Sequence, residues 1–223
     1  MLVSHRKKFI YTKTVKTAST SVEVYFEKYC MKEGEWSFIH SRNEYVSESG
    51  IIGLRGSAED QKQKPRRFYN HMPASAIKEL IGENLWNDYF KFCVIRNPFE
   101  KVISGFFHFV INRSFEEPAV MIKKFRSWVE KDKGNAVKDR HIYMIDKKIC
   151  MDFFIRHEKL SEGVGTVCHK LDIPFDPGLI PTLKNRYKQA DIRIEDYYDN
   201  KCISIITKNY AFEFDYFNYN KTL

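Results

Sequence analysis

The chain has 223 residues, 43% hydrophobic and 15% aromatic, with 37 Lys and Arg against 29 Asp and Glu for a net charge of +8. A chain of this length fits one domain able to bury roughly 70% of the surface its unfolded form exposes, so its core needs no metal or disulfide staple. The basic balance points to an anionic partner, but the densest basic run, Lys62 to Arg67, is too short for a nucleic-acid tail, and bulk nucleic-acid binding is set aside.

Phe9 to Lys13 reads as a short strand, residues 14–18 as a loop, and a helix begins at about Ser19. Val22, Tyr25, Phe26, Tyr29 and Cys30 follow the i, i+3, i+4, i+7, i+8 spacing of one helix face. Residues 33–66 are polar, Gly-containing and weakly periodic, and read as a long excursion over one edge of a sheet. Arg67 to His71 reads as a second strand, followed by a Met-Pro turn and a helix carrying Ala74, Ile77, Leu80 and Ile81. Phe92 to Arg96 is a third strand, apolar without alternation, as expected where both faces are covered. Asn97 then suits a helix N-cap and Pro98 a first helical residue, with Val102, Ile103, Phe106, Phe107 and Val110 lining one face. Residues 112–148 hold one or two helices, one of them marked by Val120, Ile122, Phe125, Trp128 and Val129. Asp152 to Arg156 is the fourth strand, followed by a helix with Leu160, Val164, Val167, Cys168 and Leu171, and the tail reads as a closing helix with an aromatic cap.

Repeated strand–helix units imply parallel pairing with right-handed crossovers. The expected fold is an α/β sandwich with a central, mainly parallel β-sheet flanked by helices, in a single domain over residues 1–223. Cys30, Cys93, Cys150, Cys168 and Cys202 are widely spaced without a CxxC pair, which reads as reduced thiols in a cytosol-like compartment and indicates no zinc site. No stretch is apolar over a length that spans a bilayer, and the N-terminus lacks the apolar run of a signal peptide, so stable membrane insertion is not expected.

Ligands of open parallel sheets bind beyond the carboxyl ends of the strands. Those ends carry Lys13 and Lys16, His71, Arg96 and Arg156, an anion site with a titratable group in it. The stretch "TVKTASTSVE" at 14–23 feeds a helix N-terminus, where backbone N–H groups and the positive end of the dipole favour an anion. Ser19, Thr20 and Ser21 add hydroxyls and Lys16 a mobile charge. A multiply capped helix start is the alternative use of the same residues. Both glycines of a Walker A loop are missing.

"VKTASTS" resembles the 5′-phosphosulfate loop of sulfotransferases, usually PKTxSTS, and "VIRNPFEKVISGFF" resembles their 3′-phosphate motif, usually RDPxERxxSxY. "DFFIRHEKL…CHKLDIPF" and "YAFEFDYFNY" are similar to the downstream strand–helix and the C-terminal end of that family. The resemblance covers residues 9–30 and 67–219, leaves 33–66 unmatched, and leans to the carbohydrate branch that includes the heparan sulfate and uronyl 2-O-sulfotransferases. It implies a P-loop-like fold and the donor 3′-phosphoadenosine 5′-phosphosulfate (PAPS), with PAP as product and no metal. On that carry-over Lys16, Thr17, Ala18, Ser19, Thr20 and Ser21 hold the 5′-phosphosulfate, and Arg96 and Ser104 the 3′-phosphate. Lys184, Asn185, Arg186 and Tyr187 fall where the family closes a loop over the nucleotide. Val15 stands where the family usually has proline, which would rigidify the loop, and Asn97 where it usually has aspartate.

His71, in "FYNHMP", is the expected base, because its ordinary pKa lies near operating pH and the 2-O branch has a catalytic histidine in a similar place. Lys16 is expected to bond the bridging oxygen as the bond to sulfur breaks. His141 and Arg67 are assigned to the acceptor, with His141 in reserve as a base. The acceptor is read as a carbohydrate hydroxyl, or else a small alcohol or lipid headgroup, chosen by residues 33–66 and 112–148. Golgi members of the branch carry a membrane anchor. A chain without one points to a cytoplasmic enzyme of bacterial or viral type, or to a Golgi-lumen enzyme trimmed of its anchor. A P-loop-like ATP-dependent kinase and a non-catalytic nucleotide- or glycan-binding module stand as alternatives.

Overall fold

The computed structural model describes residues 1–56, 67–111, 116–181 and 192–223. In chain order the elements are β1 Leu2–Ser4, β2 Phe9–Tyr11, α1 Ser19–Glu27, the strands β3 Tyr45–Ser47 and β4 Gly50–Ile52, α2 Ala74–Ile81, α3 Glu83–Asp88, and β5 Phe90–Ile95. They continue with α4 Pro98–Phe106, α5 Pro118–Asp132, the short strands β6 Met144–Ile145 and β7 Lys148–Ile149, β8 Phe153–Arg156, α6 Leu160–Lys170, α7 Ile194–Tyr197, α8 Asn200–Asn209 and α9 Ala211–Tyr216. The chain forms two compact units, Met1–Ile95 with Asp139–Leu183, and Arg96–Lys138 with Lys184–Leu223.

The first unit carries a six-stranded sheet in the order β3-β4-β1-β2-β5-β8. β5 lies between β2 and β8 and runs parallel to both, with Phe92 opposite Tyr11 on one side and Phe153 on the other. β1, β4 and β3 extend the sheet through antiparallel pairs. Side chains alternate across a strand. Phe9, Tyr11, Phe92 and Val94 therefore share one face, where they join Val22, Tyr25 and Phe26 of α1 and Val164, Val167 and Cys168 of α6 in one buried cluster. The Phe26 ring meets Phe9 and Phe92 at 5.7 and 5.1 Å, both edge to face. Ile10, Cys93 and Ile95 on the opposite face are buried as well, as an apolar strand without alternation requires. The mixed α/β architecture with a central sheet flanked by helices is the expected one.

Two parts of the sheet differ from the sequence reading. Arg67 to His71 is not a strand but an irregular segment ending in a turn at Asn70 and His71. Its backbone bonds go elsewhere: the Phe68 N–H donates to the Glu44 carboxylate at 2.7 Å, and the Phe68 carbonyl accepts from Leu54 N–H at 3.0 Å. A side chain that takes a ladder's donor removes the reason for a ladder. Within 33–66, β3 and β4 form a hairpin that adds to the sheet itself, β4 pairing β1 with Leu2 opposite Ile52. Gly50 permits this approach, because a Cβ there would lie 2.3 Å from the Val3 carbonyl oxygen.

The second unit is helical. Asn97 caps α4, its Oδ1 accepting from Phe99 N–H at 2.9 Å, and Pro98 opens the helix. Val102, Ile103, Phe106 and Phe107 are buried as expected, whereas Val110 is 41% exposed. A π-helical turn over Phe107–Ile111 widens the register and puts Ile111 in the buried position instead. On α5 the buried stripe is Met121, Phe125 and Val129, one residue off the expected Val120. Phe125 packs against Phe106, Tyr197 and Tyr198, and Phe99 packs against Phe214 of α9. The closing helices and aromatic end are present, with Phe212 stacked on Tyr216 at 5.2 Å. All five cysteines are free thiols, Cys150 half-buried and the others buried.

Candidate active site

The segment from Thr12 to Ala18 joins β2 to α1 and is built almost wholly from its own hydroxyls. Each hydroxyl carries one proton, so the bonds can be assigned in order. Thr14 Oγ1 donates to the Val94 carbonyl of β5 at 2.5 Å. Its proton is then spent, and the 2.7 Å contact with Thr17 Oγ1 has Thr17 as donor. Ser19 Oγ donates to the Thr14 carbonyl at 2.6 Å. Thr14, Thr17 and Ser19 are all buried. The Val15 N–H donates to Asp139 at 2.6 Å and the Tyr11 hydroxyl to the Ser19 carbonyl at 2.9 Å.

This frame imposes a particular backbone. Lys16 and Ala18 sit at φ 57° and 58°, in the left-handed region, while Thr17 between them does not. Left-handed non-glycine residues cost about 1–2 kcal/mol each and persist where the surroundings fix them. α1 starts from Ala18 with no side-chain cap and no acidic residue in its first turn. The hydroxyls that could have capped it are committed to the loop, which leaves its first N–H groups and the positive dipole end to an incoming anion. Ser21 N–H is the exception, donating to the Ala18 carbonyl at 2.9 Å. Lys16 and Thr20 are half-buried at the same turn.

The two lysines of the loop have different surroundings. Lys13 is 2% exposed, and its Nζ donates to Glu23 Oε2 at 2.6 Å and to Asn70 Oδ1 at 2.9 Å. Glu23, on α1 and fully buried, also accepts from the Met1 amino group at 2.9 Å and from Arg55 Nη1 at 3.2 Å. Arg55 Nη2 continues to Glu27 at 3.1 Å, and Arg42 meets the same carboxylate. Burial alone would raise the Glu23 carboxyl, but Lys13, the amino group and Arg55 reverse that and hold it well below the usual carboxylate range. Nothing in the local spacing separates Lys13 from Lys16, and Glu23 reads as an ordinary helix-surface residue in a sequence. Its i, i+4 relation to Glu27 on the helix face toward Arg55 is the signal that would have found this cluster.

His71 stands against the start of the same loop. Its Nδ1 lies 2.9 Å from the Lys13 carbonyl oxygen. A carbonyl only accepts, so Nδ1 carries the proton. Burial, and then the charge of Lys13, lower its pKa to about 4, and the ring is neutral at pH 7. The Nε2 atom therefore holds the free lone pair, the state a general base needs.

In the second unit Arg96 and Ser104 flank the first turns of α4. Arg96 Nη2 donates to Glu100 Oε2 at 2.7 Å, and its side chain is 9% exposed. Glu100 and Ser104 are four apart on one helix face, so the guanidinium, carboxylate and hydroxyl follow one line. Asn185 and Arg186, with Lys184 and Tyr187, lie outside the described residues. His141 is exposed on a short turn, and Arg67 is exposed over the Phe68 ring at 5.7 Å with a bond to the Leu80 carbonyl at 3.3 Å. Among the described residues there is no group of three His, Cys, Asp or Glu side chains placed to hold a metal ion, and no helix long and apolar enough to cross a membrane.

Comparison with known proteins is consistent with this geometry. A family model described as "Sulfotransferase family" matches residues 1–220. An uncharacterized protein of Archaeoglobus fulgidus is 28% identical over 109 residues, covering 46% of this chain and 84% of the relative. No solved structure matches.

Proposed function

From the premise that this chain belongs to the sulfotransferase family, we propose that it moves a sulfuryl group from PAPS to a carbohydrate hydroxyl, with His71 as base. The observation that carries this reading is the turn at 14–19, where the Thr14, Thr17 and Ser19 hydroxyl protons are bonded within the frame and Lys16 lies beside the uncapped start of α1. An arrangement of this kind fits a phosphosulfate. Thr17, Ala18, Ser19 and Thr20 contribute through backbone N–H, and Lys16 contributes a charge beside the bridging oxygen. Ser21 supports the turn rather than the ligand. Arg96 and Ser104 are assigned the 3′-phosphate.

In the proposed step His71 Nε2 takes the proton of the acceptor hydroxyl. The hydroxyl oxygen forms its bond to sulfur as the bridging sulfur–oxygen bond breaks, and the electron pair leaves with the phosphate to give PAP. Lys16 stabilises that growing charge. Sulfate carries less charge than phosphate, and the proposed step assigns no role to magnesium.

The test has two stages. PAP at 100 times its dissociation constant should add about 2.7 kcal/mol of apparent stability without metal, whereas ATP with magnesium should add little. Labelled donor should then transfer to one member of a panel of glycans and small alcohols. His71→Ala should keep the PAP shift and lose transfer. Undiminished turnover in that variant would refute the base assignment, and a melt indifferent to PAP would refute the donor.

A further inference from the structure

We propose that Lys13, Asn70 and Glu23 are positioning residues for His71, holding its ring in the orientation and tautomer that leave Nε2 free. This rests on the reading of His71 as the base. The contacts converge on Lys13 from two sides. Its backbone carbonyl takes the Nδ1 proton of His71 at 2.9 Å, and its ammonium holds Asn70 Oδ1, the preceding residue's side chain, at 2.9 Å. An ammonium only donates, so the Asn70 amide is fixed with its oxygen inward. Glu23 in turn holds the ammonium at 2.6 Å, and Arg55 holds Glu23.

His71 needs such support. It sits at φ 55°, in the left-handed region. A residue in that region stays put only where its neighbours over-determine it. Lys13 also opens the anion loop, three residues before Lys16. One buried residue thus ties the base, through its carbonyl, and the turn at Asn70, through its ammonium, to the start of the loop. The buried ion pair has a use beyond stability here, since an isostere of low polarity would pack as well but would not hold Asn70.

The charges acting on the His71 ring are Lys13 and the Met1 amino group, opposed by Glu23. Removing the Lys13 charge should let the ring protonate at higher pH.

The experiment reads the ring directly. Nitrogen-15 spectra of the full chain, with His71 assigned by comparison with His71→Ala, should show the Nδ1–H tautomer at pH 7. Asn70→Ala, a change in a half-buried turn, should give a mixture of tautomers. Its kcat should fall about 100-fold, while KM for the donor stays within about twofold and the PAP shift is kept. Lys13→Met should also mix the tautomers and move both the ring titration and the acid limb of kcat/KM to higher pH. If Lys13→Met does not fold, Asn70→Ala decides alone. A folded Asn70→Ala protein with an unchanged tautomer and unchanged kcat overturns the proposal. The spectra report on His71 whether or not sulfuryl transfer occurs. A wild type that transfers nothing from PAPS therefore refutes the functional reading, and the tautomer separately decides the positioning.

Discussion

Thr14→Val tests whether the loop's hydroxyls frame the loop or bind the ligand. Valine keeps the shape and β-branching of threonine and removes one hydroxyl. At residue 14 that hydroxyl is buried, donates to the Val94 carbonyl and accepts from Thr17. The substitution orphans the Thr17 O–H and weakens one acceptor at the end of β5. Leaving a buried polar group unsatisfied costs about 1–3 kcal/mol, so the expected loss is about 2–4 kcal/mol. Thr17→Val removes only the donor of one bond and should cost about 1 kcal/mol. In the double variant the Thr17 hydroxyl is gone and no longer orphaned, so the total should fall short of the sum by about 1 kcal/mol or more. Urea unfolding without ligand measures all three. PAP titration measures affinity separately. If Thr17 donated to the ligand, Thr17→Val would leave stability unchanged and lose affinity, and the cycle would be additive. That outcome would refute the assignment of protons in the loop.

Acid should destabilise the protein in two windows. His71 has a folded pKa of about 4 against an ordinary 6.5, so the unfolded state binds the extra proton between those values. Stability is full above pH 6.5 and falls as the pH drops through 4, by roughly 3 kcal/mol. Glu23, held below the usual carboxylate range, adds a further loss as the pH falls below that range. Urea midpoints from pH 8 to 4 should show the first slope in wild type and lose it in His71→Gln; parallel curves would contradict the burial of the ring. Arg96→Ala should abolish the PAP-induced shift in melting while leaving the ligand-free melt within a few degrees, since its partner Glu100 is partly exposed. An unchanged PAP shift would remove Arg96 from the 3′-phosphate. Gly50→Ala should unpair the hairpin from β1, because the new Cβ would meet the Val3 carbonyl oxygen at 2.3 Å and the Cys30 backbone at 2.9 Å. A cost of about 3 kcal/mol is expected in urea unfolding, and a cost below 1 kcal/mol would show that the strands can separate freely.

Local pattern made β2 with α1, β5 with α4, and β8 with α6 legible in the amino-acid order, because helix periodicity, an unbroken apolar strand and an Asn-Pro start are properties of adjacent residues. The turn before α1 was legible for the same reason, as a run of hydroxyls and a lysine at a helix start. The hairpin and β1 were not, since unlike β2 none of these short strands leads into a helix-period run, and β4 joins the sheet only by pairing with β1, far away in the chain. Residues 67–71 look like a strand, yet Glu44, 24 residues before Phe68, takes the N–H a ladder would need. Lys13 and Lys16 are equivalent as letters. Burial beside Glu23 commits one to the frame of the loop and leaves the other at the helix start. The same holds for the hydroxyls, since a hydroxyl has a single proton and the direction it takes is set by which carbonyl the folded chain brings within reach.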